Sequence, residues 1–64
     1  MTTNEDELIG RRVRCINMKD DPNPIPSGSE GTIYYVGGGV VNVNWDDGRT
    51  LGLVKGIDTF EVIH

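Results

Sequence analysis

The chain has 64 residues, six basic against ten acidic side chains for a net charge of −4, and one cysteine. A length of this kind holds one domain that buries only about 60% of its unfolded surface, so the large apolar side chains are needed for a core and few remain to line a deep ligand pocket. A lone Cys15 excludes an internal disulfide and fits a reducing cytoplasm, no apolar run nears the roughly 20 residues of a membrane helix, and the acidic balance disfavours a phosphate backbone as the main ligand.

Seven valines, six isoleucines and nine glycines, with no alanine or glutamine, point to short strands joined by tight turns. Residues 1–9 are polar at the start, show no periodicity, and are expected as a flexible lead-in with one short turn near Glu5–Ile9, not as a signal peptide. A single barrel is expected over residues 10–64. From Arg11 to Ile16 the pattern has period two, with Val13 and Cys15 on one face and Arg12 and Arg14 on the other. Asn17 to Ser29 carries prolines at 22, 24 and 26, which oppose both helix and ladder, so a long extended polar loop is predicted. Glu30 to Val36 reads as the second strand, with Gly31, Ile33 and Tyr35 inward and Thr32, Tyr34 and Val36 outward. Gly37-Gly38-Gly39 is a hairpin turn. Val40 to Trp45 alternates most cleanly, with Val41, Val43 and Trp45 inward, and Asp46-Asp47-Gly48 is a second hairpin tip. Arg49 to Val54 follows with Leu51 and Leu53 inward. One 3₁₀ turn across Lys55–Thr59 and a last strand, Phe60 to Ile63 with Phe60 and Val62 inward, complete the chain.

Five short strands with no crossover helix make an antiparallel sheet, which must curl to hide its inner face and edges. The expected fold is all-β: a small five-stranded antiparallel SH3-like barrel with a long first loop and a 3₁₀ turn before the last strand.

Several runs together resemble the DUF4314 family of small bacterial and phage-associated proteins. They are Gly10-Arg11-Arg12-Val13-Arg14, the segment Met18 to Pro26 with Asp20-Asp21-Pro22, and Ser29-Glu30-Gly31-Thr32-Ile33. Val41 to Gly48, Leu51 with Leu53, and Gly56 to Ile63 extend the similarity over most of the chain, from Gly10 to Ile63. The resemblance implies the fold and no particular activity. Less closely, the Val-x-Val-x-Trp-Asp-x-Gly hairpin is similar to those of Mib/Herc2, Tudor and KOW-type modules, which bind proteins, modified peptides or nucleic acids.

Chemistry is constrained by inventory. The only histidine is His64, and Cys15 lies on the expected core face without a base beside it in the pattern, so neither nucleophilic catalysis nor a His/Cys metal cluster is offered. The pairs Asp20-Asp21 and Asp46-Asp47 lack the spacing of a calcium loop and read as loop and turn chemistry. No enzyme, no metal, no cofactor and no membrane is expected. The expected function is a cytoplasmic binding module whose unidentified protein partner meets the Met18–Ser29 loop and the barrel mouth through Asp20, Asp21, Tyr34, Asp46 and Asp47. Its plainer counterpart is a proline loop that only caps one barrel end. The alternative is nucleic-acid binding by Arg11, Arg12, Arg14 and Arg49, with Tyr34 as the stacking aromatic. Against that patch stands cross-strand pairing of the same arginines with Glu30, Glu61 or the aspartates.

Overall fold

Alternation decides the centre of the molecule. In Val40-Val41-Asn42-Val43-Asn44-Trp45 every second residue is apolar, so one face of this segment seeks the core and the other seeks water. The computed structural model describes residues 5–19 and 22–63. In it this segment is the middle strand of the hairpin pair, with Val41, Val43 and Trp45 buried.

A short 3₁₀ turn (Glu5–Leu8) precedes five strands: β1 (Arg12–Asn17), β2 (Glu30–Gly37), β3 (Val40–Trp45), β4 (Thr50–Val54) and β5 (Thr59–Val62). All pair antiparallel in one sheet of order β4-β3-β2-β1-β5. The all-β, five-stranded antiparallel fold read from the sequence is therefore the observed one. The helical turn before the last strand is present too, with the N–H groups of Ile57 and Asp58 both donating to the Val54 carbonyl at 3.1 and 2.9 Å. Among the described residues no helix is long and apolar enough to cross a membrane.

The core lies on the inner face of the curled sheet: Val13, Cys15, Ile33, Val36, Val41, Val43, Trp45 and Leu53, closed by Met18 and Ile25 from the first loop. Leu8, Leu51 and Phe60 pack against its rim. The Trp45 indole N–H reaches the Leu51 carbonyl at 2.9 Å, so its polar end is satisfied while the ring is buried. The β2–β3 hairpin turns on Gly38 and Gly39, both at positive φ (60° and 78°). Two consecutive positive φ angles match the right-handed twist of the strands, and only glycine adopts them cheaply.

Two inward assignments are corrected. Tyr35 was expected on the inner face with Ile33, but the β2–β3 register shifts between Ile33 and Tyr35. Ile33 pairs with Val43 and Tyr35 with Asn42, so Tyr34 is an extra residue with no opposite number. A bulge of this kind reverses the alternation beyond it. Val36 therefore points into the core, at 6% exposure, and Tyr35 stands 58% exposed beside Tyr34. Val62 was likewise expected inside. It pairs with Val13, on the core side, but β5 is the last strand at its edge and Val62 stays exposed.

Candidate functional site

The loop between β1 and β2 begins as the sequence suggests, extended and rich in proline, but it does not float. Its ends are tied by backbone bonds: Cys15 N–H to the Ser29 carbonyl at 2.8 Å and Gly28 N–H to the Cys15 carbonyl at 2.7 Å. Two apolar side chains, Met18 and Ile25, turn inward and are buried, which fixes the loop to the core at two further points. Pro22, Asn23, Pro24, Pro26 and Ser27 are left facing water. Asp20 and Asp21, both expected to bind, lie outside the described residues.

The opposite wall is the β3–β4 turn. Asp47 accepts the Arg49 N–H at 2.9 Å, the short side-chain-to-backbone bond that holds an Asx-type turn. The Arg49 guanidinium then reaches out of the turn to the carbonyls of Asn23 and Pro24. It therefore joins the turn to the loop, a role the sequence reading of Arg49 as part of an arginine patch did not include.

A residue that sequence reasoning passed over completes this end of the molecule. Asp58 is 8% exposed, the one buried charged side chain among the described residues. Its Oδ1 accepts the Lys19 N–H and its Oδ2 the Val54 N–H, each at 2.8 Å. A buried carboxylate is tolerated when both oxygens have donors. Here it links the start of the loop, the end of β4 and the turn leading to β5. The available signal was the short connector itself, where an aspartate just before a strand is a ready acceptor for loose backbone N–H groups.

The arginines of β1 are matched. Arg12 makes a bidentate pair with Asp46 (3.0 and 2.6 Å), donates to Thr32 Oγ1 at 3.0 Å, and has Glu30 at 3.6 Å. Arg14 lies between Glu61 at 2.9 Å and Glu30 at 3.2 Å. The bond to Asp46 raises the pKa of Arg12 and the same bond lowers that of Asp46; Glu61 and then Glu30 raise that of Arg14. The cross-strand pairing weighed against a basic patch is thus what the sheet contains. Among the described residues, Arg11 is the one arginine of the group whose side chain makes no hydrogen bond or ion pair. Asp46 is correspondingly half of an ion pair and is not a free carboxylate.

Tyr34 is exposed but stands apart from the loop and turn. The turn meets β2 at Glu30, whose carbonyl accepts the Asp46 N–H. Tyr34 is four residues further on, about 13 Å by strand rise. Cys15 is fully buried, with its sulfur 3.6 Å from the Ile25 carbonyl. Burial, and then the charge of Asp58, push its thiol pKa up, so it is held as a packed thiol and not as a thiolate.

These features define a small antiparallel β module with a clamped proline loop at one end and a matched ion network on its outer face. The profile of DUF4314, a domain of unknown function, matches residues 8–63, and the chain belongs to that family. No curated protein and no solved structure gives a match.

Proposed function

We propose that this protein is a non-catalytic binding module of SH3-like barrel type that captures a protein partner at the end formed by the first loop and the β3–β4 turn. The meander of β1 to β4 with β5 returned beside β1 is the strand order of such barrels. The observation that carries the binding reading is the Arg49 bridge. It fastens the loop to the turn, so the exposed prolines and the Asp47 carboxylate are presented as one surface that needs little ordering on binding. The net charge of −4 and the acidic turn favour a basic or polar partner segment. Full burial of Cys15, which pushes its thiol pKa up, favours a role without nucleophilic chemistry. Nucleic acid is the weaker reading, because Asp46, Glu30 and Glu61 already neutralise Arg12 and Arg14.

The test is affinity capture from the producing cell with wild type, Arg49→Ala and Asp47→Asn as baits, each first shown folded by its amide spectrum. A partner held by wild type and lost from both variants is expected. Equal capture by all three overturns the proposal. A low-salt titration with single- and double-stranded DNA and RNA separates the alternative, for which salt-sensitive binding would be required.

A further inference from the structure

The outer face of β2, β3 and β4 is the part of the surface that neither the fold nor the clamped loop employs. Strand register lays its residues out in rungs. Tyr35 pairs with Asn42, which pairs with Gly52; Thr32 pairs with Asn44, which pairs with Thr50. Tyr34, pushed out by the bulge, stands beside them, 48% exposed. No position on these rungs is charged, and charge lies at the borders, where Arg12 crosses Thr32 to Asp46 at one end and Lys55 follows Val54 at the other. The next rung, Gly37–Val40–Val54, is apolar. Gly37 is also where the Tyr35 ring rests, since a Cβ there would stand 3.1 Å from it.

We propose that this face is the self-association surface of the protein, with two copies stacked outer face to outer face about a two-fold axis. Two properties select a second copy as occupant, and a third sets how tightly it is held. The first is charge: a chain at −4 repels its own kind, and an uncharged face lets two copies meet with no like charges opposed at the contact. The second is self-complementarity. Tyrosine hydroxyls and asparagine amides each donate and accept, so the face carries both halves of every hydrogen bond a symmetric partner needs. The third is size. The face spans about 14 Å across three strands and about 17 Å along them. Two such faces cover on the order of 500 Å² in projection, below the size of a stable specific interface, which limits the pair to a weak, reversible dimer. The bulge is what places two tyrosines, a side chain enriched at such contacts, side by side on it.

Sedimentation equilibrium over a concentration series up to about 1 mM, the affinity range such an area supports, reads the proposal directly. The average mass should rise toward twice that of the monomer. The association should strengthen as salt rises from about 10 mM to about 1 M, because screening removes net repulsion while the rung residues themselves carry no charge to screen. Tyr35→Asp and, separately, Asn44→Asp should each weaken it by about tenfold or more by opposing like charges across the axis. Both sites are exposed, so Trp45 fluorescence should report an unchanged core. A monomer at every concentration overturns the proposal, as does a dimer indifferent to both substitutions. So does a monomer whose Tyr34 and Tyr35 resonances shift only on adding an oligonucleotide or a peptide. Arg49 and Asp47 sit in the turn beside the Asn44–Thr50 rung and are not residues of the face, so running their variants and Tyr35→Asp through both assays separates loss of partner capture from loss of self-association.

Discussion

Strands β2 and β3 are neighbours, yet they treat alternation differently. In β3 the apolar parity set by Val41 is kept by Val43 and Trp45, all buried. In β2 the parity set by Gly31 and Ile33 breaks at Tyr34, and the core position passes to Val36. The difference teaches where a period-two pattern can be trusted. Asparagines at two of its three outer positions make a slip of β3 costly, because it would bury Asn42 and Asn44. The run Tyr34-Tyr35-Val36 offers an amphipathic or apolar residue on either face, so its pattern tolerates one extra residue and the bulge settles there.

The sharpest break of that comparison is a pair of substitutions at residues of equal parity. Ile33→Ala should cost about 2–5 kcal/mol, a large part of the roughly 3–10 kcal/mol expected for a domain this small. Tyr35→Ser should stay within about 0.5 kcal/mol, as exposed positions do. Urea unfolding followed by Trp45 fluorescence measures both. Comparable losses would mean that Tyr35 is a core residue and that β2 has no bulge.

On the unbulged side the two strands approach closely at Gly31. A Cβ there would lie 2.6 Å from the Asn44 carbonyl oxygen, 2.6 Å from a Val43 methyl and 2.9 Å from the Trp45 Cα. Two of these atoms are backbone, so the strands themselves would have to part. Gly31→Ala should destabilise by about 1–3 kcal/mol, as overpacking does, and should shift the amide resonances of β3. A neutral result would show that β2 and β3 can separate without loss.

How much of this was legible follows from the same residues. The strands and turns were, because Val-x-Val-x-Trp, Asp-Asp-Gly and the triple glycine each have one comfortable backbone solution. The pairing of Arg12 and Arg14 was legible as one of two readings, since a β1 arginine faces whatever acid its neighbour strand supplies. The anchoring of the loop was not. Met18 and Ile25 are single apolar residues among prolines and aspartates, with no period to mark them as buried. Nor was Asp58, whose role depends on Lys19, distant in sequence, and on the end of β4. Contacts that close a loop over a sheet are set by tertiary geometry and leave no local pattern.

Asp58 extends the comparison from strands to what fastens them. Asp58→Ala removes both acceptors and leaves the Lys19 and Val54 N–H groups to find water, at about 1 kcal/mol, the low end for unsatisfied groups because these sites are only part-buried. Amide exchange should quicken at Lys19 and Val54 and stay slow at Val41 and Val43. Uniform quickening would mean that the carboxylate supports the whole core and not this corner.

The smallest effect lies on the outer face of β2, whose charged half ends where its tyrosine half begins. Asp46→Asn should leave the fold intact and lower stability only slightly at neutral pH, because the pair with Arg12 is exposed to solvent. Its signature is in the pH dependence. Arg12 lowers the folded-state pKa of Asp46 below its ordinary 3.8. The folded state therefore releases that proton more readily than the unfolded chain. The contribution is complete above the ordinary value and lost as pH falls through the lowered one. Wild type should exceed Asp46→Asn in melting temperature near neutrality, and the two should converge at acid pH below that range. Raising the salt at neutral pH should narrow the gap in the same direction. A gap that persists unchanged in acid would assign the effect to the shape of the turn and not to the charge that Arg12 holds across Thr32.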